Sequence, residues 1–214
     1  LNLSVEPVLA ELAAVHAARE ASLAACRRAI RYAGSAVRAV HTRQPEQAQR
    51  LLAQAEQAVR EAQAALGPYP AVAYAGFLQD AEKEMAEAAL TRALVDGADL
   101  PSWSELSIGL APWLNGLCEA ASELRREVLD RLREAGTARA EALLEAMDAV
   151  YELVTNVDFP DALTGGLRRS ADALRAVLER TRSDLTTTAL QLRLQAAMEG
   201  LSHRLPGPAS GGAG

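Results

Sequence analysis

Aromatic residues make up only 4% of this 214-residue sequence, and runs of strand-forming residues are sparse. That scarcity argues against sheet-built folds and leaves few rings on which a nucleic-acid base could stack. Cysteine is nearly absent. Cys26 and Cys118 stand alone without metal-ligand spacing and read as reduced core thiols of a cytosolic protein. The three histidines, His16, His41 and His203, lack the Glu-x-x-His pattern of a di-iron bundle and any zinc spacing, so each reads as structural or solvated. Gly165-Gly166 stands alone, so no glycine-rich phosphate loop is present. No apolar run reaches the roughly 18 residues of a membrane span, and no secretory signal pattern opens the chain, which begins at Leu1. A net charge of −6 gives no basic excess, though it leaves room for a local basic surface. These absences describe a soluble, intracellular protein.

What is present is helix. Half the residues are apolar, Ala and Leu dominate, and Glu, Arg and Gln are interleaved, which is all-α composition. A first helix is expected from Ser4, as N-cap with Pro7 in the first turn, to His41. Its inner stripe is Leu23, Cys26, Ile30, Ala33, Val37 and Val40. A second helix follows Gln44-Pro45, carries Ala48, Leu51, Leu52, Ala55, Val59, Ala62 and Leu66, and ends at Gly67-Pro68-Tyr69-Pro70. A third begins near Ala71 and includes Phe77–Leu94, with Phe77, Leu78, Ala81, Met85, Ala88 and Ala89 as its apolar face. After a loop in which Ser102 and Glu105 resemble a capping box, a fourth helix spans Pro112–Glu134 with Trp113, Leu117, Ala121, Leu124, Val128 and Leu132 inside. Beyond a break at Gly136-Thr137 come a fifth from Arg139 to Asn156 and a sixth from Leu167 to Leu201. The pattern predicts a single helical domain over residues 1–203 and a disordered tail over 204–214. Long, thinly aromatic helices also predict apolar surface buried between subunits.

Two charged patterns are candidates for function. On the third helix Asp80, Glu84 and Glu87 share a strip about 60° wide beside the apolar face. On the fourth, Glu119, Glu123 and Glu127 recur at i, i+4 and i+8 opposite the apolar face, where Arg126 and Arg131 are near enough to make them a solvated, ion-paired surface. Arg27, Arg31 and Arg38 fall within about 40° of one another, in a stretch from 27 to 43 that holds no acid, and so suit an anionic partner. Arg168, Arg175 and Arg182 share a face with Asp172 and Glu179 and are expected to pair within their helix. Tyr32, Tyr69 and Tyr74 are stacking candidates for which packing is the competing role.

Five segments in order carry a family resemblance. They are Arg27-Arg28-Ala29-Ile30 on the helix ending at His41; Gly76-Phe77-Leu78-Gln79-Asp80-Ala81-Glu82-Lys83-Glu84-Met85-Ala86-Glu87-Ala88; and Trp113-Leu114-Asn115-Gly116-Leu117 with Glu119 and Glu123. Asp158-Phe159-Pro160 with Leu167-Arg168-Arg169 and Asp172, and then Glu179–Leu185, complete the set. Their order and spacing resemble the translin superfamily, which includes translin and its partner Trax, over roughly residues 15–200. The resemblance implies a translin-like bundle of about six or seven helices in a hollow homo-oligomer, an octamer or hexamer, binding single-stranded RNA and DNA. Trax-type members cleave RNA with Mg²⁺ held by carboxylates, whereas translin mainly binds. The Trax pattern, two Glu three apart and a later acidic pair four apart, falls on Glu84 and Glu87, then Glu119 and Glu123. The resemblance therefore implies these four as metal ligands and catalytic groups, with Glu119 standing where the family usually has the shorter Asp. A non-catalytic binding protein and a structural helical oligomer are the alternatives.

Overall fold

The computed structural model describes residues 4–73, 75–134 and 137–202. The expected tail, the break at Gly136, His203 and the stacking candidate Tyr74 lie outside them. Among the described residues the fold is all-α: α1 (Glu6–His41), α2 (Pro45–Leu66), α3 (Pro70–Ala73), α4 (Phe77–Asp96), α5 (Leu110–Arg133), α6 (Thr137–Thr155), α7 (Asp161–Thr164) and α8 (Leu167–Ser202). α1 and α2 form an antiparallel hairpin against which α4 lies, and α5 connects α4 to the α6–α8 layer. None of the helices is long and apolar enough to cross a membrane.

Alanine sets the spacing of the first layer. Ala25, Cys26, Ala29, Ala33, Ala36 and Ala39 of α1 meet Ala48, Ala55, Ala58 and Ala62 of α2 at the core. Small side chains let the two backbones approach closely. The expected α1 stripe is therefore displaced: Cys26 and Ala33 belong to it, whereas Leu23, Val37 and Val40 flank it and Ile30 is exposed. The larger side chains were given the core by hydrophobicity, but the close approach of the helices gives it to the small ones. The helix start also shifts, with Val5 rather than Ser4 as N-cap and no side-chain cap.

The third expected helix is two. Gly76 turns the chain with φ +94°, a left-handed conformation that suits glycine, so α3 ends before α4 begins at Phe77. α4 is buried on more than its expected face, taking in Glu82, Ala86, Leu90 and Thr91 because α1, α2 and α5 all pack on it. In the following loop Ser102 and Glu105 form the expected capping box: the Ser102 N–H donates to Glu105 Oε2 at 2.8 Å, and the Glu105 N–H donates to Ser102 Oγ at 3.2 Å.

α5 and α4 touch at Gly116. A Cβ there would stand 2.8 Å from the Lys83 carbonyl oxygen and 2.9 Å from Ala86 Cβ. Only a residue without a side chain permits that approach, and it brings the acidic stretch of α4 beside that of α5.

Candidate metal centre

Glu84 and Glu87 lie one turn apart on α4, facing Glu119 on α5. Each of these three offers a carboxylate oxygen within 4.8 Å of the others, and all are half-buried. Among the described residues this is the only group of three or more His, Cys, Asp or Glu side chains so gathered. The Glu119–Glu123–Glu127 row is only partly the solvated, ion-paired surface its position opposite the apolar stripe predicts, for the Glu119 and Glu123 side chains are 37% and 38% exposed. It is turned toward α4 and the end of α1, and Glu127 is only 3% exposed against Arg131.

The fourth expected member stands apart from the three. Glu123 Oε2 is 2.7 Å from His41 Nε2, and the His41 side chain is 2% exposed. The hydrogen bond from His41 holds the Glu123 carboxyl below its usual pKa against the opposing effect of burial. His41, read from sequence as structural or solvated, therefore reaches from α1 to fix a candidate site residue. Its Nδ1 is buried without a hydrogen-bond partner.

Glu87 meets the strongest opposition to ionising. Burial, followed by the neighbouring Glu119, Glu84 and Glu123 carboxylates, pushes its pKa up to about 8. Lys83 offsets part of this acidity: its Nζ lies 2.7 Å from Glu119 Oε1 and 3.3 Å from Glu84 Oε1. Burial pulls the Lys83 pKa down, but pairing with those two carboxylates outweighs it and leaves the pKa raised. Local spacing does not single out Lys83 in the sequence. One signal was available, since it is the only lysine in the chain.

The residues fit a small divalent cation. Mg²⁺ takes oxygen ligands at about 2.1 Å, so opposite ligands in its octahedron stand about 4.2 Å apart. Three carboxylate oxygens within 4.8 Å need little movement to meet that shell, and the cost of holding Glu87 ionised is a cost that a cation removes. The buried thiols take no part: Cys26 and Cys118 are free, and burial, aided by Glu119, pushes Cys118 up to about 12.

Arg27, Arg31 and Arg38 are exposed on the side of α1 away from its alanine face. None is ion-paired among the described residues, and the Arg38 side chain donates only to Ser35 Oγ. Their neighbours Arg28 and Arg43 are held by Glu61 and Glu134. Arg38 is one turn from His41, so the basic row runs toward Glu123. On α8, Arg175 pairs with Glu179 as expected, whereas Arg182 reaches Asp148 of α6 instead.

The fold and this centre define an all-α protein with inter-helical carboxylates. AfC3PO, from Archaeoglobus, has been solved alone and in complex with duplex RNA. Both structures match at 30% identity and a TM-score of 0.79, covering 88% of this chain and 98% of theirs. NeC3PO, from Neurospora, shares the fold with the same TM-score at 14% identity, over 88% of this chain and 98% of its own. An uncharacterised protein of Methanocaldococcus jannaschii is 31% identical over 123 residues, which is 57% of this chain and 55% of that protein. The match thus spans about half the length of that relative. No family model matches. The chain belongs to the translin superfamily.

Proposed function

We propose that this chain binds single-stranded RNA, with single-stranded DNA as a second ligand, and cleaves RNA as a Mg²⁺-dependent endoribonuclease of the Trax type within a homo-oligomer. The observation that carries the reading is the convergence of Glu84, Glu87 and Glu119, with Glu87 held near pKa 8 by burial and its acidic neighbours. These three would hold the ion. A divalent ion there would supply a polarised water and neutralise charge on the phosphate under attack. Glu123, kept ionised and oriented by His41, would serve as an additional ligand or as acceptor of the water's proton. The extra methylene of Glu119 is accommodated by its reach across to the α4 carboxylates. The exposed Arg27, Arg31 and Arg38 would hold the RNA backbone. The complex of AfC3PO with duplex RNA makes RNA the ligand class to test first.

The contact of Lys83 with Glu84 and Glu119 favours a second reading. An ammonium group there offsets the acids without metal, as a translin-like protein that binds and does not cut would need. Incubation with labelled single-stranded RNA, in Mg²⁺ or in chelator, separates the two. Cleavage is expected in Mg²⁺ alone, and Glu84→Ala with Glu87→Ala is expected to lower it at least about 100-fold, since losing even an outer-shell partner of a metal ligand costs about 10- to 100-fold. Cleavage by that variant at the wild-type rate would overturn the site, and an intact wild-type digest would leave the binding reading.

A further inference from the structure

The carboxylate centre lies midway along a longer feature of α5. At about 100° per residue, Asn115, Glu119, Ser122, Glu123 and Arg126 fall within about 100° of one another and form one face of the helix. Two clefts open along that face, one on either side of the acids. One, of about 480 Å³, is lined by Ser122, Glu123, Arg125 and Arg126 among others. The other, of about 290 Å³, is lined by Lys83, Glu119, Arg169 and Ser170, with Asp80 on its wall. Glu123 thus borders the first and Glu119 the second.

The cations in these clefts are not equivalent. Arg125 is held by Asp184 at 2.7 Å and by Thr181 Oγ1, and Arg133 by Asp130. Lys83 is engaged by Glu84 and Glu119. The Arg126 and Arg169 side chains remain exposed and make neither a hydrogen bond nor a close ion pair among the described residues; Arg126 acts only through its field, which helps to lower the Glu123 pKa. The position of Arg169 is fixed by its surroundings. Asn115, 6% exposed, donates to the Ala111 and Thr164 carbonyls at 2.8 Å and accepts from Ser170 Oγ at 2.6 Å, tying the start of α8 to α5.

We propose that this face of α5 is the track of a single RNA strand, with Arg126 and Arg169 holding the phosphates on the two sides of the one at the carboxylate centre. The inference rests on the RNA-binding part of the proposed function. A carboxylate cluster repels a polyanion, and a cation bound there compensates only the phosphate beside it. Neighbouring phosphates need their own positive partners. Glu119 and Arg126 are seven residues apart, about 10 Å along the axis, so Glu119 and the guanidinium meet different phosphates of a strand following the helix. Arg169, beyond Glu119, meets one on the other side. Arg27, Arg31 and Arg38 then bind a more distant stretch of the same ligand.

The test is binding of a labelled single-stranded RNA to the full chain in Ca²⁺, followed by fluorescence anisotropy across a salt series. Arg126→Ala and Arg169→Ala are each expected to weaken binding about 3- to 10-fold. Each should also flatten the slope of log affinity against log salt by about 0.7, one phosphate contact on a single strand. Arg126→Lys and Arg169→Lys should keep most of the slope, which separates charge loss from misfolding, and Mn²⁺ affinity by calorimetry should not fall in any of them, because losing a cation does not weaken a cation site. If wild type binds RNA and the double alanine variant keeps its affinity and slope, the track is wrong while the RNA-binding reading survives. If wild type binds no RNA, both fall. If wild type binds without cutting in Mg²⁺ and the slopes still change as expected, nuclease activity fails and the track stands.

Discussion

Glu87 is the residue on which the electrostatics of the fold converge. Its carboxyl has an ordinary pKa of 4.5 in the unfolded chain and one of about 8 in the fold. Between those values the native state keeps a proton that the unfolded chain has released, so stability falls as pH rises. The contribution is full below about pH 4.5 and is lost as pH passes through 8. Glu87→Gln, which cannot ionise, should match wild type at pH 5 and be more stable by about 1–3 kcal/mol at pH 8.5, allowing for partial solvation. Urea unfolding at the two pH values measures this, and an equal difference at both would refute the assignment. Mg²⁺ should narrow the gap at pH 8.5 by stabilising wild type, because the ion favours the deprotonated carboxylate. At this scale much of the centre was legible. Glu84 and Glu87 share a face by spacing alone, and so do Glu119 and Glu123. His41 and Lys83 were not, because their partners lie 82 and 36 positions away in sequence. No local period reports such a pair.

Among the elements, α4 and α5 must lie close for two rows of glutamate to act as one site. Gly116 permits this, since any Cβ would press on the Lys83 carbonyl and Ala86. Gly116→Val should therefore push the helices apart, costing about 1–3 kcal/mol by overpacking. It should weaken Mn²⁺ binding more than a surface change of similar destabilisation does. Calorimetric titration on protein shown to be folded by circular dichroism checks this, and unchanged metal affinity would mean that the carboxylates do not depend on the contact. The helix extents were legible from breakers such as Gln44-Pro45 and Gly67-Pro68. Which face of α1 is buried was not, because alanine is too weakly apolar to announce itself, and only a neighbouring helix at short range makes it the core residue.

Taken whole, the molecule leaves apolar residues exposed at the far ends of its two longest helices. Val5, Val8, Leu9 and Leu12 are 55–59% exposed on α1, and Leu190, Leu194 and Leu201 are 59–61% exposed on α8. At helical spacing each set forms one stripe, and contiguous apolar surface of this kind marks association. The proposed homo-oligomer is therefore expected to elute at several times the mass of one chain. Leu9→Glu with Leu194→Glu should shift it to smaller species with helicity retained. Light scattering after size exclusion distinguishes the outcomes, and a wild-type chain that is already monomeric would remove the basis for a shared interior.

Sequence alone determined that the chain is helical, approximately where its helices run, and which acids share a helix face. Those properties arise from composition and from contacts within about four residues. Tertiary structure decided that the alanine face of α1 is core, that Glu127 of the α5 row is buried, and that Glu123 is held by His41 while Glu84, Glu87 and Glu119 converge. Each of these depends on the distance and rotation between helices, set by small residues such as Gly116 packing against segments remote in sequence.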